Sequence, residues 1–268
     1  MMNFIKDLFA PQLTLTSPFK GHQMPDPASP QLATSYEAAD PFPHAVVEGM
    51  FDRNFLKRTV KELPSPHEKH SLFFKDEAHL QEHKFAWRDV PHLGAHSLML
   101  INALQSKPFL EYLTSLTGIE GLLPDPYLGG AGFHQIIRGG KLAIHADFNI
   151  HPQTQMYRRL NVLVYLNDDW DEAWGGHVEL WSTDMKRCVQ KIAPTFGKMV
   201  VFNTTENSYH GHPEPLQCPE KAVRRSLALY YYTHAYPHAE KHSTLWQQRP
   251  EDSNEVGQAA AEHKKKYG

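Results

Sequence analysis

Apolar residues follow two different patterns, and the change comes near residue 127. Before it, they recur at the three- and four-residue spacing of helices. "DRNFLKRTVKELP" (52–64) predicts a helix that Asp52 caps and Pro64 ends. "SLMLINALQSKPFLEYLTSLTGI" (97–119) predicts two more helices, broken near Pro108. With one short strand expected in "PFPHAVVEGMF" (41–51), we predict a mainly helical region over residues 43–126.

After residue 127 the apolar runs become short and are separated by Gly, Asp, Asn and Pro, as strands separated by turns are. The runs cover 132–137, 142–148, 160–167, 177–182, 198–203 and 225–233, with weaker candidates near 190–194 and 208–212. Eight short strands predict a sandwich or jelly-roll barrel over residues 127–240. We therefore expect an α+β fold with a mainly β core and helices from the N-terminal half packed on one face.

The two ends of the chain lack either pattern. Residues 1–42 contain six prolines and little periodicity, which predicts an irregular arm. Residues 241–268 are polar and end in the basic run "HKKKYG", which predicts a solvated tail.

Composition narrows the possible functions. A formal net charge of −3 over 268 residues gives no basic excess of the kind that nucleic-acid-binding proteins carry. No apolar stretch is long enough for a signal sequence or a membrane span. Cys188 and Cys218 form no CxxC pair, which favours a reducing, cytoplasmic compartment. The pattern favours no particular oligomeric state.

Candidate chemistry begins with four His-x-carboxylate pairs, about twice the roughly two expected by chance from 18 His and 30 Asp plus Glu. Their spacing decides nothing by itself, so context must. The pairs are His145–Asp147, His177–Glu179, His212–Glu214 and His238–Glu240.

Only the first pair stands at the end of a predicted strand, where a ligand at a barrel mouth belongs. The second lies mid-strand, the third precedes Pro213 in an expected tight turn, and the fourth follows Pro237 in a polar segment. A non-haem Fe(II) site needs two His and one carboxylate on one face, so a third ligand must come from a distant strand. His210 is the preferred candidate, and His212 is its alternative.

An arginine opens the apolar strand near residue 225. A charge entering so apolar a segment requires a buried anionic partner, and a guanidinium binds a carboxylate through two parallel hydrogen bonds. We expect Arg225 to have this role, with Arg224 as the alternative.

Four segments together resemble the prolyl 4-hydroxylase-type branch of the Fe(II)/2-oxoglutarate-dependent oxygenases. They occur in the family's order and span roughly residues 127–235. They read "GGKLAIHAD", "RRLNVLVYLNDDWDEAWGGHVELW", "GKMVVFNTTENSYHG" and "RRSLALYYYT". The resemblance implies a double-stranded β-helix with His145, Asp147 and His210 as the iron ligands.

The resemblance also implies a co-substrate site. Arg225 would pair with the distal carboxylate of 2-oxoglutarate, and the hydroxyl of Tyr165 would help to hold it. Asn161, four residues earlier on the same strand face, would also point into the cavity. Fe(II) would be the metal, O2 and 2-oxoglutarate the co-substrates, and ascorbate a reductant.

The implied reaction is hydroxylation of an unactivated C–H bond with release of succinate and CO2. The substrate is a free amino acid, a peptidyl proline or another small molecule. Two departures from the family pattern keep the substrate class open: an extra loop over residues 213–223, and no tyrosine in "HQIIRGG" (134–140).

Two other classes of protein remain as alternatives. One is a zinc hydrolase with three protein ligands and an open coordination position. The chain has no HExxH motif, however, and Arg225 would have no role in such a site. The other is a non-catalytic jelly-roll module that binds a sugar or a partner.

Overall fold

The computed structural model describes residues 17–66, 72–73, 79–235 and 240–267. The start of the predicted arm (1–16) and His238 of the fourth pair lie outside the described residues. The rest of the arm is not wholly irregular, because residues Pro30–Glu37 form helix α1. Ser29 caps this helix by accepting from the Leu32 amide, and Pro30 fits its first turn.

The predicted helices of the first half are confirmed. Helix α2 (Arg53–Glu62) begins at Asp52, whose carboxylate accepts from the Phe55 amide at 2.7 Å. Helices α3 (Ala95–Gln105) and α4 (Lys107–Thr117) are separated at Ser106. Pro108 lies in the first turn of α4, where a missing N–H leaves no helical hydrogen bond unmade. Helix α5 (Asn254–Tyr267) lies at the C-terminus.

The strands differ in length and form one sheet that curls into a barrel. Its central order is β1-β9-β6-β11-β5-β10-β7-β8, with antiparallel pairs. The strands are β1 (His44–Val47), β2 (Leu72–Phe73), β3 (Gln81–Trp87), β4 (Leu123–Pro124), β5 (Gly132–Ala146), β6 (Tyr157–Tyr165), β7 (Val178–Trp181), β8 (Cys188–Ile192), β9 (Met199–Asn203), β10 (His210–His212), β11 (Arg224–Thr233) and β12 (Leu245–Trp246).

Strand β5 turns the sheet into the predicted double-stranded β-helix. Its first half pairs with β11, Ile136 opposite Arg224, and its second half pairs with β10, His145 opposite His210. The bend between the halves contains Gly139, whose φ of 79° suits a residue without a side chain. The two runs read as separate strands in the sequence are therefore one strand that belongs to both halves of the barrel.

Strand alternation assigns one face of the sheet to the helices and the other to a cavity. On β6, Leu160, Val162 and Val164 join the core formed with α3 and α4. On β11, Leu227, Leu229 and Tyr231 join the same core, and the Tyr231 hydroxyl donates to the Leu104 carbonyl at 2.7 Å. The expected packing of helices on one face is confirmed.

Two differences from the sequence-based expectation concern the sheet edges. The short strand expected in residues 41–51 is β1, which pairs with β9, but the same mainly helical region also supplies β3, which pairs with β5. The C-terminal segment is not a tail, because β12 pairs with β5 and Val256 on α5 packs against Leu80 and Ala143. No helix among the described residues combines the length and apolar composition that a membrane crossing requires.

Candidate active site

Three predicted residues come together at one end of the barrel. His145 lies on β5, Asp147 follows that strand, and His210 lies opposite His145 on β10. The Nε2 atoms of His145 and His210 lie 3.6 Å and 3.4 Å from the Asp147 carboxylate oxygens. One ligand atom from each residue falls within 4.8 Å of the others, and no other group of this kind is found among the described residues.

Backbone carbonyls fix the tautomers of both histidines. His145 Nδ1 lies 2.9 Å from the Ala143 carbonyl, and His210 Nδ1 lies 2.9 Å from the Ser208 carbonyl. Because a carbonyl only accepts, each Nδ1 carries the proton and each Nε2 presents a lone pair. Burial, followed by the neighbouring His145, lowers the pKa of His210 to about 4, so its ring is neutral near pH 7.

Asp147 is ionised and oriented by two donors. Burial alone would raise the pKa of its carboxyl, but Arg158 and the two histidines hold that pKa well below its usual value. Arg158 Nη2 and Asn161 Nδ2 donate to Asp147 Oδ2 at 2.9 Å and 2.7 Å. Two imidazole lone pairs and one ionised carboxylate on one face are the donor set that a divalent non-haem iron takes.

Arg158 was not predicted from the sequence. It is 2% exposed, donates through Nε and Nη2 to Asn161 Oδ1, and lies 3.4 Å from the centre of the Tyr230 ring. The available signal was the same one used at residue 225: an arginine that opens an apolar strand.

The three residues face a cavity of about 250 Å³ inside the barrel. Its wall includes Arg224, Lys84, His134 and His212 in addition to the cluster. Arg224 is 4% exposed, and its Nε donates to the Gly176 carbonyl at 2.7 Å. Among the described residues, no carboxylate lies within ion-pairing distance of its guanidinium, and burial lowers its pKa.

Comparison with known proteins agrees with this geometry. The sequence model of the 2OG-Fe(II) oxygenase superfamily matches residues 131–232. The matched segment contains His145, Asp147 and His210, so this part of the chain is similar to that superfamily where the cluster lies.

The chain is 28% identical over 200 residues to the prolyl 3-hydroxylase OGFOD1 of Mus musculus, covering 72% of this chain and 33% of the relative. It is 27% identical over 215 residues to the prolyl 3,4-dihydroxylase OGFOD1 of Ostreococcus tauri, covering 72% and 38%. The chain thus spans about a third of the length of the curated relatives it matches.

Two solved structures share the fold of this chain. A Pseudomonas putida prolyl-4-hydroxylase superposes with a TM-score of 0.53 at 16% identity, covering 76% of this chain and 100% of that one. HygX from Streptomyces hygroscopicus, with nickel and 2-oxoglutarate bound, gives 0.53 at 11% identity, covering 80% and 90%. The likeness shows that the chain has the double-stranded β-helix fold.

The structure corrects the expected position of Arg225. Its side chain leaves the cavity, donates to Gln135 Oε1 at 3.3 Å and borders an outer groove near Trp170. Arg224 enters the cavity instead, because β11 begins at Arg224 and its even-numbered residues Arg224, Ser226, Ala228 and Tyr230 face inward.

Tyr165 and Asn161 take different places. The Tyr165 hydroxyl lies 3.5 Å from Nη2 of Arg224, which itself lines the cavity. Asn161 lines the cavity as expected, but its amide holds Asp147 rather than extending toward Arg224.

The other His-x-carboxylate pairs lie outside the cluster. Glu179 is buried on β7, accepting from Trp181 Nε1 and pairing with Lys191, and His177 lies 3.9 Å from the exposed Glu172. His212 is not in a turn, since it closes strand β10 and faces the cavity. Trp246 was not predicted from the sequence as a site residue. Its ring lies 4.9 Å from that of His145.

Proposed function

We propose that the protein is an Fe(II)- and 2-oxoglutarate-dependent dioxygenase that hydroxylates an unactivated C–H bond. In the balanced reaction, substrate, O2 and 2-oxoglutarate give hydroxylated substrate, succinate and CO2. The observation that carries the proposal is one cavity lined both by an N,N,O donor cluster and by Arg224, a buried arginine with no carboxylate partner among the described residues.

The metal would be held by Nε2 of His145, Nε2 of His210 and the Asp147 carboxylate. When bound, it supplies the redox chemistry with O2 and the coordination positions for the 2-oxo acid. The chain keeps these donors ready: the carbonyls of Ala143 and Ser208 retain the Nδ1 protons, and Arg158 with Asn161 fixes the carboxylate.

Arg224 would bind the distal carboxylate of 2-oxoglutarate, with the Tyr165 hydroxyl as a second donor. A buried guanidinium is costly unless an anion offsets its desolvation. Its Nε is already committed to Gly176, which leaves the Nη groups for a ligand. The co-substrate would thus bridge the donor cluster and Arg224.

For the substrate we propose a prolyl residue of a polypeptide, as the names of both OGFOD1 relatives suggest. An outer groove of about 690 Å³ supports this choice, because Gly130 and Phe148 border both the groove and the inner cavity. Residues flanking a target proline could lie in this groove. The free thiols of Cys188 and Cys218 support a reducing compartment, and we propose the cytoplasm.

The test is formation of succinate from 2-oxoglutarate by the purified protein with Fe(II) and O2. We expect turnover in the wild type and its loss, by at least about a hundredfold, in Asp147→Ala, because a ligand to the metal is removed. Asp168→Ala is the matched control, since this carboxylate pairs with Arg53 and Lys57 at the surface.

Full turnover in a folded Asp147→Ala protein would refute the proposal. Activity that requires Zn²⁺ but neither O2 nor 2-oxoglutarate would favour the hydrolase alternative, and no turnover under any of these conditions would favour the binding module.

A further inference from the structure

His212 is a cavity residue that the proposed chemistry leaves without a role. It lies two positions after His210 on β10, so strand alternation turns both rings into the same cavity. His212 is buried, with 5% of its surface exposed. It is not a member of the cluster formed by His145, Asp147 and His210, so metal binding does not account for it.

Both ring nitrogens of His212 are buried, and neither has a hydrogen-bond partner among the described residues. A neutral imidazole has one N–H to donate and one lone pair to accept with. Burying such groups unpaired costs free energy, and an unsatisfied polar group in a native interior calls for an explanation. A ring that faces a cavity can be satisfied by whatever the cavity holds.

The charges around His212 indicate what that occupant is. His212 lines the same cavity as two cationic side chains, Arg224 and Lys84. A group that approaches Arg224 to offset its charge is an anion, and an anion accepts hydrogen bonds.

We infer that His212 donates a hydrogen bond to the carboxylate that Arg224 binds. The inference rests on the proposed function and adds a binding residue to the co-substrate site. In this arrangement Arg224 supplies charge, Tyr165 supplies one neutral donor from β6, and His212 supplies a second from β10. The carboxylate would be held from three strands of the barrel, which fixes the distance between it and the metal end of the cavity.

The test compares two 2-oxo acids that differ only at the distal end. 2-Oxoglutarate carries the distal carboxylate, whereas 2-oxopentanoate ends in a methyl group at that position. Each is titrated into the anaerobic Fe(II) protein and followed by the visible charge-transfer band of the chelate. His212→Leu removes the donor with little change in bulk, and His212→Asn and His212→Gln place an amide near Nδ1 and Nε2 respectively.

We expect His212→Leu to weaken 2-oxoglutarate binding by about ten- to a hundredfold, the range for a hydrogen bond to a charged group. Binding of 2-oxopentanoate should change by less than about threefold, since its distal methyl group cannot accept a hydrogen bond from His212. One of the two amide variants should recover part of the loss and so identify the donating nitrogen. His177→Leu is the control, because His177 lies outside the cavity wall.

Three results would overturn the inference. They are unchanged 2-oxoglutarate binding in His212→Leu, equal weakening of both ligands, and no recovery in either amide variant. The first would mean that a trapped water satisfies the ring, and the second that His212 only shapes the cavity. If the wild type binds 2-oxoglutarate, these results leave the proposed function standing. If the wild type gives no band with either acid, the proposed function itself fails.

Discussion

Replacing Arg224 by alanine should separate co-substrate binding from metal binding. The guanidinium donates to Gly176 and Tyr165 and has no hydrogen bond or ion pair to the described residues of the His145–Asp147–His210 cluster. Arg224→Ala should therefore leave stoichiometric Fe(II) binding intact and weaken 2-oxoglutarate binding.

The magnitude follows from the groups that Arg224 has available. Its Nε is used by Gly176, so a carboxylate is left with the Nη groups. A hydrogen bond to a charged group contributes about 1.5–3 kcal/mol, and truncation also leaves the ligand carboxylate buried with fewer donors. A loss of about 2–3 kcal/mol corresponds to roughly 30- to 150-fold in the dissociation constant. Arg224→Lys should recover part of it, because the charge survives but the planar fork does not.

The neighbouring arginine is the matched control. Arg225→Ala removes the same chemical group from the other face of β11, where the side chain contacts Gln135. Anaerobic titration of each Fe(II)-loaded variant with 2-oxoglutarate gives the dissociation constants. Weak binding in Arg225→Ala with normal binding in Arg224→Ala would show that the assignment of the inward face is reversed.

Three further predictions concern the metal cluster and the C-terminal segment. His210→Ala should lose stoichiometric Fe(II) binding and His177→Ala should keep it, as measured by metal analysis after gel filtration; the opposite result would remove His210 from the site. Arg158→Met removes a positive charge beside Asp147, so the pKa of the Asp147 carboxyl rises. As the pH is lowered, the variant should therefore lose Fe(II) binding at a higher pH than the wild type. Fe(II) affinity measured across pH 4–8 tests this, and loss of binding at the same pH in both proteins would contradict it. Arg249→Ala removes the ion pairs with Glu214 and Asp252 that anchor the segment after β12. The backbone amides of residues 245–246 should then exchange with deuterium about tenfold faster or more. Unchanged exchange would mean that other contacts hold this segment in place.

Local pattern was sufficient for the elements whose apolar residues repeat regularly. Helices α2, α3 and α4 carry capping and breaking residues at their ends, and the runs of β6, β9 and β11 alternate or stay apolar throughout. The His145–Asp147 pair could be singled out because it ends a strand, and His210 because a third ligand had to come from a distant one.

What could not be predicted depends on register and on long-range packing. The choice between Arg224 and Arg225 turned on where β11 begins, and an error of one residue reverses which side chain enters the cavity. Strand β12 is two residues long and becomes recognisable only by pairing with β5 beside His145. Pro213 suggested a turn at His212, whereas the strand continues through His212 and ends just before the proline.

The most direct test of the account is the source of the oxygen in succinate. The protein is incubated with Fe(II) and 2-oxoglutarate under ¹⁸O2 in unlabelled water, and the succinate is analysed by mass spectrometry. Oxidative decarboxylation by a dioxygenase predicts one ¹⁸O atom in each newly formed succinate, and no labelled succinate from Asp147→Ala. Unlabelled succinate from the wild type, or labelled succinate formed equally well by the variant, would contradict the claim that these three residues make a 2-oxoglutarate-dependent oxygenase site.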